Sequence, residues 1–425
     1  MRIPLVLVTA GLAAALLSPA GVANAADGVT NAATGCAASD AAIYQPPAAV
    51  TAAPGTVLAC EPVTLSQVPG NVPMQAWKVQ YASTDVTGHP IAVSGTVAVP
   101  TAPWTGTGAR PVVAFNPGTL GLGPQCAFSK QLAGAFQDEY EGDQIAAILK
   151  AGYAVAATDG VGYLNGQTHP YVVGADSAHA LLDGTRAALG LPGAGLSRSA
   201  PVALWGYSEG GAASLWASQL AASYAPDLHV VGDASGGVPG DLKVTASGLN
   251  AGPFAGFLAD AVIGLSAAYP NEPFASLLNS TGQSAIAQAK TVCLFGTLID
   301  FAGADIANYT TDHLTLDQVY AQAGSDGVTW GQVVDAQKLG VNIGGPASSA
   351  KYKISFPVLQ YRGALEEIIP TSTEDATRQA YCTAGITTQW NLYVGDHLTT
   401  DNLAISDVIT WFGQRFAGQA ATGNC

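Results

Sequence analysis

Short apolar runs separated by stretches of helical repeat set the frame of this chain. Two early segments, 77–84 (WKVQYAST) and 91–99 (IAVSGTVAV), alternate apolar and polar positions with the period of a strand, and a Gly-His-Pro turn at 88–90 lies between them. They read as an antiparallel pair. Nearly continuous apolar runs follow at 111–116 (PVVAFN), 153–158 (YAVAAT), 201–205 (PVALW), 229–234 (HVVGDA), 354–361 (ISFPVLQY) and 388–394 (TQWNLYV). Runs of that length predict strands buried on both faces. Between most of them, residues 130–151, 175–190, 209–224, 372–384 and 401–416 carry a helical pattern. Buried strands alternating with amphipathic helices predict an α/β fold: a mostly parallel sheet of about eight strands with helices on both faces.

Three stretches stand outside that alternation. Residues 1–25 combine Arg2, an apolar run over 4–18 and the small residues of Ala23-Asn24-Ala25, the pattern of a signal peptide, so the chain is expected to be exported. Residues 26–75 are rich in Ala and Pro without a period and read as an irregular N-terminal wrap on a core made of 26–235 and 351–425. Residues 236–350 contain helix-like segments, 252–269 (GPFAGFLADAVIGLSAAY) among them, and no clear strand. An insertion of that length with its own helices predicts a cap or lid over an active site.

Composition narrows the classes of partner. Hydrophobic residues make up 48% of the chain and charged ones 11%, ample for a large core. The net charge of −15 argues against nucleic acid and anionic membranes, and suits a neutral substrate. Six cysteines, Cys36, Cys60, Cys126, Cys293, Cys382 and Cys425, predict disulfides in an exported chain, with the pairing left open by the spacing. No CxxC or Cys/His cluster is present, so no metal is assigned.

The chemistry gathers around 201–216 (PVALWGYSEGGAASLW). In a chain with 50 glycines, the pattern Gly206-Tyr207-Ser208-Glu209-Gly210 means little alone. Set between an apolar strand and a helical stretch, it reads as a nucleophile elbow, the strand-to-helix turn that lifts a serine Oγ above a sheet. A serine needs a histidine to take its proton, and the histidine needs an orienting carboxylate. Of the histidines after Ser208, His229 opens a strand at the far end of the sheet and His313 falls in the insertion. His397 follows the last strand, where the base belongs in the α/β-hydrolase order. The carboxylates past the preceding strand are Glu366 and Glu367, and the residues alone leave both open; Asp396 is read as a surface residue. The backbone N–H of Glu209 and that of Gly118 or Thr119 are the expected oxyanion donors.

Several stretches together resemble the secretory lipase family, α/β-hydrolases that include the fungal lipase A enzymes, over nearly all of the chain after residue 25. They are PGTLGLGPQCA (117–127), THPYVVG (168–174), GYSEGGAASLWASQLAASYAPDL (206–228), GPFAGF (252–257), EEIIP (366–370) and DHLT (396–399). The resemblance implies Ser208 as nucleophile, His397 as base and Glu366 as acid, the last standing where the family usually has aspartate. It further implies Cys126–Cys293 and Cys382–Cys425 bridges, leaving Cys36 with Cys60, and cofactor-free hydrolysis of carboxylic esters such as acylglycerols. The partner expected from this is a small ester or lipid, met at a lipid–water interface. A secreted serine peptidase on the same fold and a non-catalytic binding protein are the rival readings. Phe254, Phe257, Leu258, Ile263 and Leu265 favour apolar acyl chains over the first, and a candidate for every catalytic role speaks against the second.

Overall fold

The computed structural model describes residues 35–135, 138, 140–272 and 274–425; the expected signal peptide lies outside them. The strands are β1 (Val57–Pro62), β2 (Met74–Thr84), β3 (Pro90–Pro100), β4 (Val112–Asn116), β5 (Ala154–Gly160), β6 (Pro201–Tyr207), β7 (His229–Gly236), β8 (Ile343–Gly344), β9 (Tyr352–Lys353), β10 (Val358–Gly363) and β11 (Thr388–Tyr393). Nine of them form one sheet in the order β1-β2-β3-β5-β4-β6-β7-β10-β11. The pairs from β1 to β5 across β2 and β3 are antiparallel. From β5 through β4, β6, β7 and β10 to β11 every pair is parallel.

Alternate residues of the central strands feed two different cores, which is why those strands read as unbroken apolar runs. Val112, Ala114, Val202 and Leu204 face one way, onto Leu181 and Leu182 of the helix Gly174–Gly190 and Leu215 of the helix Glu209–Tyr224. Val113, Phe115, Ala203 and Trp205 face the other, onto Ile145 and Ile148 of the helix Gly142–Lys150 and Val408 and Phe412 of the helix His397–Phe416. A strand covered on both faces has no polar position to alternate with.

The sheet departs from expectation in four places. Residues 57–62, read as irregular wrap, add the edge strand β1, so the sheet has nine strands. Only Val57 and Cys60 of β1 are buried, so its side chains carry no period of two; pairing with β2 and the Cys36–Cys60 disulfide hold it instead. The run at 354–361 becomes a strand only from Val358, after Pro357, which has no N–H for a ladder. The helical stretch at 130–151 divides into Phe128–Leu132 and Gly142–Lys150, with Gly134 at φ 88° ending the first. The last helix starts at His397, four residues before the expected 401, because Asp396 caps it by accepting from Thr399 N–H.

Between β7 and β10 the chain leaves the sheet. Its helices there are Leu242–Leu249, Ala255–Ala268, Ser280–Ala289, Leu294–Asp300, Leu316–Tyr320 and Trp330–Asp335. They surround a core of their own that includes Leu265, Phe274, Val319 and Trp330. A smaller cluster joins Ala246, Leu249 and Leu258 of this insertion to Ile368 and Ile369 after β10. Among the described residues no helix is long and apolar enough to cross a membrane.

Three disulfides, Cys36–Cys60, Cys126–Cys293 and Cys382–Cys425, are the pairs the family resemblance implies. Cys126–Cys293 ties the loop after β4 to the insertion, and Leu294 N–H donates to the Leu120 carbonyl beside it at 3.0 Å. This bridge spans a sequence separation of 167, against 43 and 24 for the other two. Because the entropy removed from the unfolded chain grows with the loop closed, the C126A/C293A variant is expected to lose the most stability of the three pairwise removals, about 2–5 kcal/mol. Urea unfolding of the three double-alanine variants checks the order.

Candidate active site

Strand β6 ends at Tyr207 and a helix begins at Glu209, leaving Ser208 alone at the turn with φ 58° and ψ −119°. A non-glycine residue at positive φ is strained, and close backbone contacts hold it there. A Cβ on Gly206 would sit 2.1 Å from the Gly210 carbonyl oxygen, and one on Gly210 would sit 2.1 Å from that of Asn116. Only hydrogen fits at either place. Ser208 N–H donates to the Gly236 carbonyl at the end of β7 (2.9 Å), which ties the turn to the neighbouring strand.

His397 is buried on the first turn of the last helix. Its Nδ1 lies 2.8 and 2.7 Å from the two carboxylate oxygens of Glu366. Its ring centroid is 5.0 Å from that of Tyr207, the residue before Ser208. On another side its Cε1 lies 3.0 Å from where a Cβ on Gly237 would stand. The imidazole therefore packs among residues that adjoin the elbow. Glu366 in turn accepts from Ile368 and Ile369 N–H at 3.0 and 2.9 Å. Burial would raise its pKa, but the hydrogen bond and charge of His397 and these two amides outweigh it and hold the carboxyl below its ordinary value. Glu367 takes a different contact: its Oε2 accepts the backbone N–H of His397 (3.0 Å). Two adjacent glutamates thus divide, one to the ring and one to the helix N-terminus. With Nδ1 donating to Glu366, the opposite ring nitrogen Nε2 is the basic one.

On the other side of the serine, Thr119 is buried with its hydroxyl 2.8 Å from that of Tyr171. Gly118 N–H donates to Glu141 Oε2 (2.8 Å), so of the two expected donors in this loop Gly118 is already engaged. The side chain of Glu209 turns away from the pocket to His169 Nε2 (2.8 Å). Ser208 opens onto a small apolar pocket whose lining includes Val172, Leu242, Leu249, Phe257, Leu258 and Ile368. A second pocket shares Leu242, Leu258 and Ala261 with it and continues to Phe274 and Trp330 inside the insertion. His229 is exposed at the start of β7, and His313, within the insertion, bonds the Ala307 carbonyl (3.0 Å). Neither is among the residues around Ser208. Among the described residues no group of His, Cys, Asp and Glu forms a metal site.

Residues 128–424 match the secretory lipase family. The chain belongs to the secretory lipase family. This secretory-lipase chain is 30% identical over 361 residues to a probable inactive lipase of Mycobacterium tuberculosis, covering 82% of its own length and 75% of that protein's. It is 30% identical over 278 residues to lipase A of Moesziomyces aphidis, where the match covers 64% of this chain and 56% of that one, less than two thirds of the relative. Candida antarctica lipase A in its closed state is similar in structure with a TM-score of 0.76 and 25% identity, over 90% of this chain and 87% of that one. The fold is that of the α/β-hydrolases.

The family motifs did not point to the acids packed behind the site. Glu374, on the helix Thr371–Thr383, is buried with its Oε2 3.7 Å from Arg362 Nε. Burial, and then the charge of Glu366, push its pKa up to about 10 in spite of Arg362. Asp401 lies one turn beyond His397 on the last helix, and burial pushes it up to about 7. Both fall in stretches whose helical pattern gives no sign that an acid faces inward. Between the ordinary value of 4.5 and about 10, folding must bring a proton to Glu374. Its contribution to stability is therefore fully present below the unfolded value and lost as pH rises toward the folded one. Glu374→Gln, neutral throughout, is expected to raise Tm most near pH 8 and least near pH 4. Thermal unfolding of both proteins across that range checks it.

Proposed function

We propose that this chain is an exported serine esterase or lipase that hydrolyses carboxylic esters with apolar acyl groups. The observation that carries the reading is the Glu366–His397 hydrogen bond, its imidazole packed on Tyr207 next in the chain to a strained serine that opens onto an apolar pocket. The expected signal peptide and the three disulfides support export.

His397 Nε2 takes the proton of Ser208 as Oγ adds to the ester carbonyl. Glu366 keeps Nδ1 protonated and steadies the imidazolium that forms. The tetrahedral oxyanion takes the N–H of Glu209, at the N-terminus of its helix, and that of Thr119. His397 then passes the proton to the leaving alcohol, and the acyl group stays on Ser208 Oγ. A water deprotonated by the same imidazole attacks the acyl-enzyme, releasing the carboxylic acid and restoring Ser208.

The insertion, residues 236–350, serves as the cap, and its apolar pockets receive the acyl chain. The pocket at Ser208 is lined by no charged side chain that would bind the amine or carboxylate of a peptide, which favours an ester over a peptide substrate. The mycobacterial relative is named as inactive. In this chain Ser208, His397 and Glu366 are all present, and the last two are hydrogen-bonded.

Ser208→Ala is expected to cut p-nitrophenyl ester hydrolysis by at least ~10³-fold in a folded protein. Glu366→Gln should lose up to ~10⁴-fold in kcat, and Glu367→Gln far less, since its amide oxygen still accepts the His397 N–H. Near-normal turnover by S208A, or equal loss in E366Q and E367Q, contradicts the assignment. Leu258→Trp, which fills the shared wall of the two pockets, is expected to shift the preferred acyl chain toward shorter esters. Profiles across p-nitrophenyl acetate to palmitate measure that; a parallel fall at every length counts against acyl binding there.

A further inference from the structure

The segment 168–173 lies behind the elbow and touches both residues proposed to bind the oxyanion. Tyr171 meets the Thr119 hydroxyl at 2.8 Å, and His169 meets Glu209. Between Tyr171 and the following helix, Val172 is held at φ 58°, an outlying conformation for a β-branched residue. The contact of His169 with Glu209 has a chemical consequence. His169 Nδ1 is 2.7 Å from the Val161 carbonyl oxygen, which only accepts, so Nδ1 carries a proton. Nε2 is 2.8 Å from Glu209 Oε1, so a second proton lies between those two atoms. Imidazolium with carboxylate and imidazole with carboxylic acid both have no net charge. Both side chains are buried, 6% and 5% exposed, so a net charge on the pair would be poorly solvated.

We propose that His169 and Glu209 share one proton as a neutral pair that keeps uncompensated negative charge away from the oxyanion site, which makes His169 a positioning residue for hydrolysis. The inference rests on the reading of Ser208 as an ester-cleaving nucleophile. Loss of that proton leaves two acceptors facing each other and a bare carboxylate on the residue whose backbone N–H receives the oxyanion. Such a charge opposes the transition state. Among the described residues no cation acts on the pair. Tyr163 stacks on the imidazole at 4.6 Å and Tyr171 stands edge-on at 6.2 Å. Asp176, from the helix Gly174–Gly190, acts on His169 as a further negative charge. Tyr140 and, from the insertion, Asp260 feel the charge of Glu209. Burial pulls the His169 pKa down, but the charge and hydrogen bond of Glu209 outweigh it, and the net direction is upward.

The test is the pH dependence of kcat on a short p-nitrophenyl ester. The wild type is expected to lose activity at high pH as the shared proton leaves. In Glu209→Gln the amide donates to a neutral His169, the pair no longer titrates, and the descending limb disappears. His169→Gln keeps a donor to Glu209 but brings no charge; kcat is expected to fall on the order of 10²-fold, the scale of one oxyanion donor, with KM changed less. The double variant H169Q/E209Q removes the bare carboxylate and is expected to recover kcat over H169Q. A merely structural role predicts no such recovery. A descending limb in E209Q like that of the wild type, or a double variant no better than H169Q, overturns the proposal. E209Q is isosteric and decides the matter alone should H169Q fail to fold. Labelling by a serine-directed phosphonate, lost in S208A, tests the Ser208 reading separately: its absence refutes the esterase mechanism, whereas labelled enzyme with an unchanged E209Q profile refutes only the pair.

Discussion

Everything at the candidate site hangs on the backbone of one residue. Ser208 occupies a conformation that an L-amino acid resists, and the turn exists because its neighbours leave no other path. Gly206 and Gly210 touch each other and the end of β4 at distances no side chain permits, while the Gly236 carbonyl holds the serine amide from β7. The constraint is affordable because β6 lies in the middle of the sheet, with Trp205 fully buried and its indole N–H donating to Tyr361 on β10 (3.0 Å). A rigid interior on both faces thus fixes a turn that the turn's own residues disfavour.

The parts of the site that were legible in the amino-acid sequence share one property: their signal is local. The elbow carries its strand, glycines and helix within one stretch, and His397 and the pair Glu366 and Glu367 each follow a recognisable strand. What escaped notice depends on a partner far away in the chain. Strand β1 is made by its ladder to β2, and Gly118 is engaged by Glu141 across the loop. The partnership of His169 with Glu209 joins residues 40 positions apart. Glu374 and Asp401 sit in ordinary helical pattern, and only packing reveals that they face inward. The division between Glu366 and Glu367 likewise needed the helix N-terminus at His397, which offers a ring nitrogen to one carboxylate and an amide to the other.

The acidic composition also takes on a different meaning once burial is known. The formal charge of −15 counts every carboxyl as ionised. Burial pushes Asp176, Asp233 and Asp401 up to about 7 and Glu374 up to about 10. Around neutral pH Glu374 is therefore protonated and the three aspartates partly so, and the protein is less negative than its formula. Glu366 is the contrast: it is kept ionised in the same neighbourhood by its partner and by two amides. One acid charged and another neutral, close together, is a common arrangement where proton transfers are to be directed.

The Cys126–Cys293 bridge bears on how the insertion is held. It joins the loop that carries Thr119 to the segment before the helix Leu294–Asp300, so one corner of the insertion is covalently fixed beside that loop. A cap tied at such a corner would swing about it rather than lift away whole. Elsewhere Leu249 and Leu258 of the insertion meet Ile368 and Ile369 in an apolar cluster. If the insertion acts as the proposed cap, that apolar seam beside Ser208 is the one that would part, while the loop carrying Thr119 stays where the disulfide keeps it.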